Sequence, residues 1–244
     1  MSENRETPNG WAEASLSDLA TTIRGIAFPK EAKQFEAREG HIACLRTANV
    51  QRTVDWTDLW YIPLTFVRNP DQELQVGDVL MSTANSLNLV GKVAYVSSLA
   101  QRVTLGAFIA TIRPTPGLDS RYVYWQLASG KTQDRIRSGA STTTNISNIS
   151  TGHLAALQLS VAPFLEQRRI VAEIEKQFSR LDAGVAALQR VQKALKRYRA
   201  SVLQAACEGR LVPTEAELAR KEGRDYEPAD QLLQRILAER RARW

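Results

Sequence analysis

The chain has 244 residues, 43% of them apolar and 24% charged, with 32 Lys and Arg against 26 Asp and Glu for a formal charge of +6. That length and balance exclude a peptide-scale module and a wholly disordered segment, and leave room for one globular domain with an appendage. Cys44 and Cys207 match no disulfide framework, the opening "MSENRETPNGW" lacks a secretory apolar region, and no apolar run approaches the roughly 20 residues of a membrane span, so a reducing, cytoplasmic setting is expected.

From Gly10 to about Val161 the pattern is mixed. The runs "HIACL", "LWYIPLTFV", "GDVLMS", "GKVAYVSS" and "AFIATIRP" are bounded by Gly, Pro, Asn and Asp and read as short strands separated by turns. Two helices are expected among them. One lies near "SLSDLATTI", capped by Ser15 with Leu16, Leu19 and Ile23 on one face, and the other is "DSRYVYWQLASG", capped by Asp119 or Ser120 and stopped by Gly130. The expected fold class is α+β, a mixed domain over residues 1–163.

After Pro163 the period becomes helical. Ile170, Ile174, Phe178, Leu181, Val185 and Leu188 recur every three or four residues, and Val191, Leu195, Tyr198 and Val202 continue the series past one stammer-like shift. Gly209 in "CEGRLV" fits the terminating position, with Leu211 supplying the apolar contact beyond it. This spacing predicts a long helix over 164–208, about 60 Å of rod, which outreaches a domain of this size. The first two turns are expected to fold onto their own domain. From Leu181 to Val202 the stripe is expected to pack on another helix, flanked by Arg190, Lys193, Lys196 and Arg197. A helical connector follows over 209–244: "TEAELARKEG" carries a capping box at Thr214 and Glu217 with Gly223 as stop, and "EPADQLLQRILAERRARW" reaches Trp244 without a terminator, which reads as the interruption of a longer design.

Residues 1–163 carry 15 Lys and Arg against 14 Asp and Glu, and 164–244 carry 17 against 12, so most of the positive excess lies in the helical part. Within the first part, Met81 to Leu118 holds Lys92, Arg102 and Arg113 with no acid, and Arg135 to Leu165 holds Arg135 and Arg137 with none. Such hydroxyl- and amide-rich stretches suit a phosphate backbone, although scattered bases on solvated loops would look the same.

No catalytic motif is present. His41 and His153 are remote from each other and from both cysteines, so no metal spacing exists. Phosphate loops of the GxGxxG and GxxxxGK[ST] kinds, the GxSxG turn and the signatures of an adenine methyltransferase are all missing, "NPDQE" at Asn69 to Glu73 being the nearest approach.

Several segments together carry a resemblance: "GWAEASLSDLATTIRG", "LRTANV", "LQVGDVLMSTANSLNLVGKVAYV", "YVYWQLAS", "GASTTTNISNISTGHLAALQLSVAPFLEQRRIVAEIEKQF" and "ALKRYRASVLQAACEGRLV". They resemble the specificity subunit of type I restriction-modification systems over nearly the whole chain. The resemblance implies a non-catalytic subunit: a target-recognition domain joined to a conserved helix, which pairs as an antiparallel coiled coil with a second such helix. It further implies partners, namely double-stranded DNA, a methyltransferase subunit that supplies S-adenosylmethionine chemistry, and a restriction subunit reached through the complex. No cofactor of its own and no membrane is implied. Relatives usually carry two copies of this layout where this sequence carries one, so a homodimer is expected to rebuild it. Ala162-Pro163 also stands where the family often has two prolines.

Candidate DNA contacts follow from side-chain chemistry. Asn85 and Asn88 carry the amide suited to adenine and Arg46 or Arg52 the fork suited to guanine, with Asn49, Ser82 and Ser86 nearby in sequence. Lys92, Arg135, Arg137, Ser141, Thr142, Thr143, Thr144 and Asn145 suit phosphates and their surroundings. Each has an architectural alternative, such as turn formation by the Asn residues or capping of the "NISNISTGHL" segment by the Thr run. The interface candidates are Ile174, Phe178, Leu181, Val185, Leu188, Val191, Leu195, Tyr198 and Val202. Two rival roles are a helical adaptor that binds protein rather than DNA, and a regulator that titrates methyltransferase subunits.

Overall fold

The computed structural model describes residues 8–143 and 146–243. It divides into two compact units, Met1–Lys176 and Gln177–Trp244. The first unit begins β1 (Ala12–Ser15), α1 (Leu16–Leu19), β2 (Ala20–Arg24), β3 (His41–Leu45), β4 (Trp60–Pro63), β5 (Val79–Ser82) and β6 (Ala84–Asn85). It continues with β7 (Val93–Tyr95), β8 (Val103–Leu105), β9 (Ile109–Pro114), α2 (Ser120–Ala128), α3 (Gly130–Ser138), β10 (Ser141–Thr142), β11 (Ser147–Asn148), α4 (Thr151–Ala155) and β12 (Gln158–Val161). The long helix α5 (Phe164–Cys207) starts in this unit, and α6 (Glu215–Glu222) and α7 (Ala229–Ala242) lie in the second. The α+β class is therefore as expected.

An antiparallel sheet in the order β2-β9-β5-β7 forms the centre, and β4-β3-β8 forms a second sheet in which β3 and β8 run parallel. Strand β5 is buried on both faces, which explains the uninterrupted apolar run "VLM". Because side chains alternate across a strand, Val79 and Met81 join one core with Leu16, Val123, Leu127, Ile136 and Leu154, while Leu80 joins the other with Leu45, Val96 and Leu105.

Two expectations need correction. The "SLSDLATTI" helix is a single turn, α1, because Thr21, Thr22 and Ile23 are β-branched and pair with β9 in register, Thr22 opposite Ile112. Helix α2 ends at Ser129 rather than at Gly130, and Gly130 opens α3, whose N-terminus Ser129 caps through Oγ.

The first turns of α5 lock onto the first unit. Gln167 is buried, donating from Nε2 to the Ala162 carbonyl at 2.8 Å and accepting at Oε1 from the Asp119 N–H at 3.0 Å. Ile170 and Val171 pack with Tyr122, Ala162 and Trp11, and Trp11 Nε1 donates to Glu166 Oε1 at 3.1 Å. Arg121 closes the junction with an ion pair to Glu175. In the second unit α5 ends where the sequence indicates. Gly209 sits at φ +68°, its N–H bonds the Ala206 carbonyl at 3.1 Å, and the Arg210 N–H bonds the Ala205 carbonyl at 2.8 Å. That pair of bonds is a Schellman terminus. Thr214 and Glu217 form the expected capping box of α6, and Gly223 closes it in the left-handed conformation.

Cys44 is buried in β3, and burial pushes its thiol up to about 12, whereas Cys207 is exposed. A thiol of that kind is inert near neutrality because the thiolate is the reactive form. A thiol-exchange reagent at neutral pH is expected to label Cys207 alone in the native chain and to reach Cys44 only after denaturation. Mass mapping that finds Cys44 modified in folded protein would contradict this.

Candidate nucleic-acid interface

After Ser82 the chain leaves the central sheet and changes partners. Strand β6 pairs with β11, Asn85 opposite Ser147 and Ala84 opposite Asn148, and β11 pairs in turn with β10. This three-stranded ribbon brings "STANSLNLVGK" and "SGASTTTNISN", some sixty residues apart in sequence, onto one structure. One end of this pairing is extended by the Ile149 N–H to the Thr83 carbonyl at 2.9 Å, and the Thr83 N–H bonds the Phe108 carbonyl at 2.9 Å.

The turn from Ser86 to Lys92 is held rigidly. The N–H groups of Leu89 and Val90 bond the Ser86 carbonyl, Val90 is buried, and Gly91 at φ +80° donates to the Ser82 carbonyl. A Cβ on Gly91 would lie 2.7 Å from Ile136, so only glycine fits this approach to α3. From α3, the buried amide of Gln133 donates to the carbonyls of Gly91 and Leu127, both at 2.8 Å. A hollow of about 340 Å³ results, lined in part by Asn88, Leu89, Lys92, Gln133 and Arg137.

The sequence candidates thus divide. Ser86 and Asn88 are exposed on the turn, and Ser141, Thr142 and Thr143 are exposed on the hairpin. Lys92 donates to Gln51 Oε1, and Arg137 bonds Gln133 Oε1 at 3.1 Å with Asp134 at 3.8 Å. Asn85 is half-buried, accepting from the Ser86 N–H at 2.9 Å. Arg135 is exposed and reaches the Gln158 carbonyl at 3.3 Å. Thr144 and Asn145 lie outside the described residues.

Other candidates are buried, paired or placed on a different hollow. Asn49 is 2% exposed, its Nδ2 donating to the carbonyls of Asp55 and Thr57 and its Oδ1 accepting from the Arg46 N–H, all at 2.9 Å, so it has no free edge for a base. Ser82 is fully buried. Arg46 is ion-paired to Asp58, with its guanidinium 5.2 Å from the Trp60 ring centre. Arg52 is exposed and lines a separate hollow with Tyr95, Arg121 and Tyr124. Thr142 belongs to β10 and Thr143 bonds the Ile146 carbonyl, and α4 takes Ser150 as its cap instead.

Nor is the acid-free stretch acid-free in space. Arg102 pairs with Glu73, whose carboxyl is held below its ordinary range by that hydrogen bond, and Arg113 pairs with Asp78. What the residue types did not single out are Leu87, Leu89 and Ile146, exposed apolar side chains on the two loops. Leu87 and Leu89 alternate about Asn88 as strand residues would, so nothing in the sequence marked them as exposed, and exposed apolar side chains are the kind that can meet a thymine methyl. Among the described residues no group of three His, Cys, Asp or Glu is placed to hold a metal ion, and no helix is long and apolar enough to cross a membrane.

No family model matches the chain. It is 29% identical over 206 residues to the StySPI type I restriction enzyme specificity subunit of Salmonella potsdam, which covers 84% of this chain and 44% of that protein. It is 26% identical over 231 residues to the EcoKI specificity subunit of Escherichia coli K12, covering 94% of this chain and 47% of that one. The fold also matches the crystal structure of the HsdS subunit from Thermoanaerobacter tengcongensis, with a TM-score of 0.58 at 24% identity over 86% of this chain and 48% of the other. A structure described as showing complex assembly and conformational transition of the type I R-M system matches with a TM-score of 0.65 at 21% identity, over 84% of this chain and 48% of the other. The chain therefore spans about half the length of the relatives it matches, and within that span it corresponds in sequence and fold to the specificity subunits of type I restriction-modification systems.

Proposed function

We propose that the first unit is a target-recognition domain that reads one half of a bipartite site in duplex DNA, and that the chain performs no chemistry itself. The observation that carries this reading is the pairing of β6 with β11, which joins the two amide- and hydroxyl-bearing loops, the first ending in Lys92 and the second following Arg135 and Arg137 of α3. Asn88 offers an exposed amide for a base edge, while Lys92, Arg137 and the hydroxyls of Ser141 to Thr143 suit flanking phosphates. A methyltransferase subunit would bind S-adenosylmethionine and flip the target adenine, and a restriction subunit would join through that complex.

Gel-shift titration with cognate and random duplexes, with and without the methyltransferase subunit, tests the assignment. Lys92→Ala is expected to weaken binding to every sequence and to flatten the salt dependence by about one counterion. Asn88→Ala is expected to cost about 1–3 kcal/mol, mainly on the cognate site. Equal losses on cognate and random DNA would remove Asn88 from base reading, and no DNA binding with or without the methyltransferase would remove the assignment altogether.

The partner helix of the apolar stripe is proposed to be α5 of a second copy, antiparallel about a two-fold axis. Phe178, Leu181, Val185, Leu188, Val191, Leu195 and Tyr198 are all exposed on α5, and Ile174 and Val202 are half-covered. A two-fold axis turns two identical recognition units toward opposite strands, so the DNA target is expected to be an interrupted palindrome. Methylome sequencing of cells expressing this chain with its methyltransferase as sole specificity component reads the site directly. An asymmetric bipartite site would overturn the homodimer.

A further inference from the structure

Beside the reading face lies a further cavity of about 530 Å³, walled in part by Phe28, Lys30, Lys33, Arg46, Trp60 and Phe108. None of its lining residues is acidic, and one of its cations, Arg46, is paired with Asp58. Lys33 Nζ stands 4.6 Å from the Trp60 ring centre and 5.5 Å from that of Phe35, so the cations are positioned against aromatic rings. Phe28 meets Trp60 edge-on at 6.2 Å, and Phe108 is 63% exposed. The volume falls within the roughly 300–1,000 Å³ of small-molecule sites.

The wall is built in advance. Gly25 and Gly106 pass so closely that a Cβ on Gly25 would lie 2.2 Å from the Gly106 carbonyl oxygen. The Gly25 N–H also bonds the Ile109 carbonyl at 3.0 Å, fixing the turn that carries Phe108. That turn is joined to the reading face through the Phe108 carbonyl and the Thr83 N–H, one residue before β6.

We propose that this cavity binds a nucleotide, with its base against Phe28 and Phe108 and its phosphate at Lys30 and Lys33. Aromatic walls and cations in a lining without acidic residues match a planar base that carries a negative charge. Continuity with the reading face makes an unstacked nucleotide of bound DNA the natural source, and on that point the proposal rests on the DNA-reading assignment. A free mononucleotide offers the same chemistry from solution.

Calorimetric titration of the full chain with nucleoside 5′-monophosphates, against adenosine and orthophosphate separately, tests the solution source. Duplexes carrying 2-aminopurine at successive positions test the DNA source by fluorescence. Saturable mononucleotide binding that neither control reproduces is expected, weakened about ten-fold by Lys33→Ala or Phe108→Ser, each the loss of one contact. A 2-aminopurine increase on binding that Phe108→Ser abolishes, while that variant still binds DNA, would support the proposal equally. Both variants should retain the parent's circular dichroism, and Lys30→Ala at an exposed position offers a further check on the cation. Absence of any saturable mononucleotide binding together with no 2-aminopurine signal sensitive to these variants would overturn the proposal. If the parent binds DNA normally in that case, the reading-face assignment survives the loss of the cavity; if the parent binds mononucleotide but no DNA, the assignment fails and the cavity stands.

Discussion

Leu188→Arg is expected to leave the first unit folded and to abolish self-association. Leu188 is 71% exposed at the middle of the α5 stripe, with Val185 and Val191 on either side, so within one chain an arginine there meets water and costs little. In the proposed antiparallel pair the same position is buried, and an unpaired buried charge costs roughly 3–5 kcal/mol, imposed twice by two-fold symmetry. Sedimentation should show the variant at half the parent's mass, with urea unfolding of the first unit unchanged. Unchanged mass relative to an associating parent would move the interface off this stripe, and a monomeric parent would remove the homodimer. Leu188→Met, which keeps the apolar surface, should associate like the parent.

The long helix and its end were legible because their signals are local. A period near 3.6 sustained over the 44 residues of α5, a Gly at the Schellman position and a Thr-x-x-Glu box each act within a few residues of their effect. Where local signals were ambiguous, distant pairing decided. Leu16, Leu19 and Ile23 fit a helical face, yet Ile23 belongs to β2 because β9, some ninety residues away, supplies the ladder. Helix α3 was not foreseen, since "GKTQDRIRS" begins with Gly and offers only Ile136 as a large apolar anchor. Its place depends on Gln133 and Ile136 meeting the Gly91 turn. The same division runs through the candidate site. Residue chemistry nominated both loops, but Asn49 and Asn88 are equivalent as residue types, and only the fold buries one and exposes the other. Likewise Arg113 looks unopposed along the chain and is paired in space, because acids from the segment before β5 reach it.

That pairing carries the largest stability effect expected of a single substitution here. Asp78 is 1% exposed, and its carboxylate takes Arg113 Nε at 2.8 Å and Nη2 at 2.9 Å as a fork, with the Gln75 N–H at 2.7 Å on the same group. Arg113 Nη2 also donates to the Glu73 carbonyl at 2.9 Å, so one guanidinium ties the 73–78 segment to β9. The hydrogen bonds to Asp78 are the main cause that raises the arginine above its ordinary range, and burial opposes them. Asp78→Ala removes the fork and leaves the largely buried cation only the exposed Asp71 carboxylate at 3.6 Å, so a loss of roughly 3 kcal/mol, the low end for a broken buried pair, is expected. Removing both charges, Asp78→Ala with Arg113→Met, should recover part of that loss, since the cost lies in the uncompensated charge rather than in the absence of the pair. Urea denaturation of the two single variants and the double variant closes the cycle. A loss below about 1 kcal/mol for Asp78→Ala would place it with ordinary surface changes and show the pair to be dispensable. A double variant whose loss equals the sum of the two single losses would show no coupling between Asp78 and Arg113, and would overturn the account in which the cost lies in the stranded charge.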